Sequence, residues 1–94
     1  MKIEGFIWYR DIIDKLLWKH NVTRFEVEEV FLNKPLFKFI EKGRVKKENL
    51  YSARGQTKAG RYLVVFFIYK KTKEALIISS RDMDRKERIS YGKR

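Results

Sequence analysis

The sequence predicts an α+β domain over residues 1–94, with N-terminal helices and one C-terminal helix packed in two layers on an antiparallel sheet. Three observations carry that expectation. Helical spacing of apolar residues dominates before Pro35, short apolar runs separated by turns fill Leu36 to Ser80, and a helix-start signature stands at Asp84.

Ile7-Trp8 suits a short opening strand. Between Asp11 and His20, Ile12, Ile13, Leu16 and Leu17 recur on one side of a helix, with Asp14, Lys15 and Lys19 elsewhere. Asn21-Val22 breaks that pattern. Thr23 and Glu26 then have the spacing of a capping box, in which each side chain accepts from a backbone N–H the helix start leaves free. Val22 and Val27 flank that cap at the two hydrophobic-staple positions. The second helix is predicted to bury Val27, Val30 and Phe31 and to end before Pro35, because a residue preceding proline resists the helical region.

Leu36 to Ile40 reads as a strand followed by a turn at Lys42-Gly43. A second strand is predicted from Leu50 to near Gly55, and Lys58-Ala59-Gly60 forms the next turn. Tyr62 to Tyr69 is apolar on both faces and so belongs in the middle of the sheet. Ala75 to Ser80 follows after a short connection, and short connections between successive strands imply an antiparallel meander. Asp84 and Glu87 repeat the capping-box spacing, opening a helix to about Tyr91 that Gly92 ends.

Composition narrows the chemistry. The formal charge is +11, a field that attracts polyanions, and nucleic acid is the first candidate because neutralising phosphates releases counterions. An acidic protein or an anionic membrane surface is also compatible with it. There are no cysteines and a single His, which leaves no disulfide framework, thiolate site or His-rich zinc site. The longest apolar run, Leu63 to Ile68, is too short to cross a bilayer as a helix. No apolar signal segment follows the basic start, so the sequence predicts a cytoplasmic protein.

Arg61 begins the central strand after a glycine turn, and Arg81 follows the next apolar strand, so antiparallel pairing is expected to bring the two together. Arg88 and Tyr91 share one face of the last helix. Guanidinium groups hold phosphate in two-pronged contacts and stay charged, so such a cluster suits RNA binding and stabilisation of charge at phosphorus. RNA can be cut without metal because its own 2′-OH attacks the neighbouring phosphate. Imidazole is the side-chain type that ordinarily titrates near neutrality, and His20 is the sole example here. Lys19, Glu48 and Tyr91 are further proton-transfer candidates. Each residue has a plainer reading: His20 and Glu87 as caps, Lys19 as a solvated helix residue, the arginines in surface ion pairs, Tyr91 in packing, Glu48 in a turn.

Taken together, Lys19-His20-Asn21-Val22, the helix segment Glu26 to Phe31, Gly55 to Phe66, Ile77 to Met83, Lys86-Glu87-Arg88 and Tyr91 resemble the BrnT family of toxins in order and spacing, from about Trp8 to Tyr91. The resemblance implies a RelE-like fold, an endoribonuclease that inhibits translation without a cofactor, and a BrnA-like antitoxin that neutralises it and carries the complex to promoter DNA. It assigns Arg61 and Arg81 to phosphate and transition-state charge, Lys19, His20 and Glu48 to catalysis, and Arg88 with Tyr91 to RNA contact. Two positions depart from the family pattern: Ser80 stands where Ala is usual, and Leu50 where Arg is frequent. A non-catalytic nucleic-acid-binding module and a domain whose basic face docks an acidic protein are the competing readings.

Overall fold

A computed structural model describes residues 1–93. Its elements in chain order are β1 (Gly5–Ile7), α1 (Arg10–His20), α2 (Arg24–Leu32), β2 (Leu36–Glu41), β3 (Leu50–Gln56), β4 (Tyr62–Tyr69), β5 (Glu74–Asp82) and α3 (Arg85–Gly92). The strands form one sheet in the order β1-β5-β4-β3-β2, with β4 at its centre as its two-sided apolar pattern requires. Strands β2 to β5 are an antiparallel meander. The sheet is mixed rather than wholly antiparallel, because β1 pairs in parallel with the first residues of β5. That pairing joins segments about seventy residues apart in sequence, so no turn signal announces it.

The helix boundaries have local chemical causes. Thr23 Oγ1 accepts from the Glu26 N–H at 3.1 Å while Glu26 Oε1 accepts from the Thr23 N–H at 3.0 Å, and Val22 and Val27 beside this cap are fully buried. Asp84 and Glu87 form the second box, at 2.8 and 2.9 Å. Between α1 and α2, Asn21 takes a left-handed φ of 53°, and its N–H with that of Val22 satisfies carbonyls at the end of α1.

Strand alternation divides the side chains between two faces. Leu63, Val65 and Phe67 of β4, Ala53 of β3 and Ile77 of β5 face α1 and α2, where they bury Leu16, Val27 and Val30. Phe31 meets Phe6, Phe37 and Phe67 with ring centroids 5.0–6.0 Å apart. Gly55 lets α2 pack closely on β3: a Cβ there would come within 3.1 Å of Val30 Cγ1, so the valine would have to shift by a few tenths of an ångström. On the opposite face Tyr62, Val64 and Phe66 pack with Met83 and Tyr91, so α3 lies across the sheet from α1 and α2. It covers one end of that face.

One irregularity in β5 decides where the polar end of that strand points. Phe67 pairs with Ile77 but Phe66 pairs with Ser79, leaving Ile78 as an extra residue. A bulge of this kind shifts the alternation by one place, so every later side chain of β5 is turned to the other face. Among the described residues no helix is long and apolar enough to cross a membrane.

Candidate active site

The bulge separates the two arginines that the sequence was expected to bring together. Arg81 lies opposite Val64 in the ladder and so faces α3. Arg61 continues the parity of Leu63 and reaches the α1–α2 side, where it meets residues of α1, α2 and β5. The expected single pocket holding both guanidinium groups is therefore not formed.

Arg61 is engaged throughout. Its Nε donates to Asp82 Oδ1 at 2.8 Å, Nη1 to the Asn21 carbonyl at 2.7 Å and to Glu26 Oε2 at 3.2 Å, and Nη2 to the His20 carbonyl at 3.0 Å and Asp82 Oδ2 at 3.3 Å. All five N–H bonds of a guanidinium are accounted for by these acceptors. The hydrogen bond from Arg61 holds the Asp82 carboxyl below its ordinary pKa, and the same bond raises that of Arg61. Arg61 thus ties the end of α1 and the start of α2 to β5. It fixes the backbone at His20 instead of offering donors to a ligand.

Arg81 meets Glu87 with Nη1 on Oε1 at 2.7 Å and Nη2 on Oε2 at 2.9 Å, and its Nη1 also donates to the Asp82 carbonyl at 3.1 Å. Nε and the second Nη2 hydrogen have no partner among the described residues. The guanidinium lies over the Phe66 ring, 5.6 Å from its centroid. Glu87 is also approached by Arg54 Nη2 at 3.8 Å. The bond from Arg81, reinforced by the Asp84 N–H, holds the Glu87 carboxyl below its ordinary pKa, so it is ionised at neutrality. The result is one carboxylate between two guanidinium groups.

Arg54 was not singled out from sequence. It sits in mid-strand between Ala53 and Gly55, and its Nε is buried without a partner, as is Oγ of Ser52 two residues earlier on the same face. The available signal was alternation: Tyr51 and Ala53 belong to the core, which sends Ser52 and Arg54 to the face of Arg81.

Arg88 and Tyr91 do converge. An open groove of about 780 Å³ runs beside α3, lined by Gln56, Tyr62, Arg85, Arg88 and Tyr91 among others. The Arg88 guanidinium stacks 4.3 Å from the Tyr62 ring centroid, and Tyr62 meets the largely buried Tyr91 edge-on. Arg85 and Arg88 form no ion pair among the described residues.

Lys19 and His20 line a smaller pocket with Ile78 and Ser79, along the part of β5 that extends beyond β1. Ser79 is two residues before Arg81 and shares its face. Glu48 lies elsewhere. It accepts from Lys70 Nζ at 2.7 Å and the Lys71 N–H at 3.1 Å, and these bonds lower its pKa. Lys70 is just past the end of β4, and the rise from Val64 to that point is roughly 20 Å, so Glu48 is at the far end of the sheet from Arg81. Among the described residues no group of three or more His, Cys, Asp or Glu is placed to hold a metal ion.

A helix-flanked sheet carrying two guanidinium groups and a stacked Arg–Tyr pair on one basic face is an arrangement suited to the phosphates of a polynucleotide. Residues 8–87 match the family described as ribonuclease toxin, BrnT, of type II toxin-antitoxin system, and the chain belongs to that family. The matched segment includes Arg54, Arg61 and Arg81 and ends at Glu87, before Arg88 and Tyr91. No curated protein sequence matches the chain.

Proposed function

We propose that residues 1–94 act as one domain, a metal-independent endoribonuclease that cleaves RNA on the α3 face of the sheet and thereby inhibits translation. The family supplies the ribonuclease class and the toxin–antitoxin setting. The observation that carries the site is Arg81: it is half-exposed, keeps two N–H bonds uncommitted, and stands beside Arg54 on the face α3 leaves partly open.

In this reading the 2′-oxygen of one nucleotide attacks the adjacent phosphorus as its proton leaves. The bond to the 5′-oxygen then breaks and that oxygen takes up a proton, giving a 2′,3′-cyclic phosphate and a 5′-hydroxyl. Arg81 stabilises the charge that builds on the non-bridging oxygens, with Arg54 behind it, and the phosphate takes over donors that Glu87 engages in the free protein. His20 and Lys19 belong to α1, which packs on the other face of the sheet, so in this reading they meet RNA only where it passes the edge of β5. Arg61 acts through structure, because its bonds to the backbone carbonyls of His20 and Asn21 and to Asp82 tie the end of α1 to β5. Arg88, stacked on Tyr62, and the neighbouring Tyr91 guide the RNA backbone along the α3 groove. Glu48 is left out of the reaction, since its ion pair with Lys70 keeps it ionised and remote.

The protein acts in the cytoplasm, a BrnA-like antitoxin neutralises it, and promoter DNA is reached through the antitoxin. The test is incubation of the purified protein with RNA in EDTA. Fragments ending in a cyclic phosphate support the reading, and RNA that is bound but intact returns the chain to the class of non-catalytic nucleic-acid-binding modules.

A further inference from the structure

The sheet face that carries Arg81 is only half covered. Beyond α3 it opens into a second groove of about 410 Å³, floored by Leu50, Ile68 and Ile78 and walled by Val45 of the β2–β3 connection. Ile78 is 39% exposed and Val45 50%, so branched aliphatic side chains face solvent together, with charges at the rim. Of the charged residues lining the groove, Glu48 is held by Lys70, while Lys42, Arg44 and Glu41 form no ion pair among the described residues, so two cations stand against one carboxylate, with Lys46 and Lys47 following in the same connection. The groove is therefore apolar in its floor and positive along one wall.

From this we infer that the groove is the seat of an amphipathic, acidic-flanked helix of the antitoxin, which lies across strands β5 to β3. The inference rests on the toxin–antitoxin reading above. From β5 to β3 the apolar floor spans two strand spacings, about 10 Å, room for roughly two helical turns, with β2 at its rim. A stripe of apolar residues on such a helix fills the floor, and Asp or Glu beside it meets Lys42 and Arg44 on the wall. An RNA segment fits this groove less well. Its floor is aliphatic and offers no aromatic ring for a base to stack on, in contrast to the α3 groove with Tyr62 and Tyr91. The position also explains neutralisation. Ile68 and Phe66 lie two residues apart on one face of β4, and Leu50, Ser52 and Arg54 do the same on β3, so the groove runs directly into the arginine site.

The experiment uses the full chain and its full-length cognate antitoxin, with Arg44→Glu, Val45→Glu and the double variant compared with the parent. Both residues are on an exposed connection, and thermal melting checks that the variants fold. The expected result is at least a tenfold rise in Kd for the antitoxin in each single variant and a larger one in the double, with RNA cleavage in the absence of antitoxin unchanged. Unchanged Kd overturns the inference, as does a loss that appears instead in Trp18→Glu or Phe25→Glu on the α1–α2 side. Impaired RNA cleavage with antitoxin binding intact assigns the groove to nucleic acid and also overturns it. A parent protein that binds antitoxin through the groove but leaves RNA whole contradicts the ribonuclease reading alone.

Discussion

Arg81 and Glu87 are joined by two parallel hydrogen bonds, 2.7 and 2.9 Å long, between the end of β5 and the first turn of α3. The same carboxylate caps α3 through the Asp84 N–H and faces Arg54. One side chain therefore docks a helix, neutralises two cations and occupies donors that a phosphate would use.

Acid should destabilise the fold through its paired carboxylates. Glu87 has its pKa depressed by Arg81, Asp82 by Arg61 and Glu48 by Lys70, so protons bind the unfolded chain more readily than the folded one. Their contribution is complete above the ordinary carboxylate range and disappears as pH falls through the lowered folded values. Denaturant midpoints should stay level from about pH 8 to 5 and decline below that. Glu87→Gln should decline less steeply, because Asp82 and Glu48 remain. An equal slope in the variant would deny Glu87 its part.

Glu87→Gln should also tighten RNA binding several-fold at low salt. It preserves an oxygen for the Asp84 N–H while removing the negative charge that competes for Arg81 and Arg54. Filter binding on a non-cleavable 2′-deoxy substrate measures this directly, and weaker binding would show that Glu87 orders the arginines more than it obstructs them.

Arg61→Ala should act through stability. It deletes donors to two backbone carbonyls and two carboxylates at a site where Arg61 is about one-quarter exposed, a loss of roughly 2–3 kcal/mol. In a domain of this size that lowers the melting temperature by roughly 10 °C or more. A melting temperature unchanged in Arg61→Ala would exclude the clamp.

Arg88→Ala should weaken RNA binding and make the salt dependence of log K shallower by about one unit, the effect of removing one phosphate contact. Its melting temperature should barely change. Identical salt slopes for parent and variant would place the RNA backbone elsewhere.

Much of the fold could be read from the residues themselves. Both capping boxes, the Val22–Val27 staple, the break at Pro35 and the central place of Tyr62–Tyr69 follow from local chemistry and periodicity. The parallel pairing of β1 was hidden because its partner is remote in sequence. The site was less legible for one physical reason. Counting alternation through an unbroken β5, with the register Phe67 makes to Ile77, places Arg81 opposite Leu63 and beside Arg61. The extra residue Ile78 reverses that count, and nothing in Ile77-Ile78-Ser79 marks a bulge. Arg88 with Tyr91 needed only helical spacing, and there the expectation and the structure coincide.

Cleavage of RNA by parent and Arg81→Ala proteins, both folded and both in EDTA, tests the account most directly. The parent should release fragments ending in 2′,3′-cyclic phosphate, and the variant should be slower by roughly a hundredfold or more, the cost of one transition-state donor. Equal rates from a folded Arg81→Ala protein would contradict the assignment of phosphoryl chemistry to the α3 face.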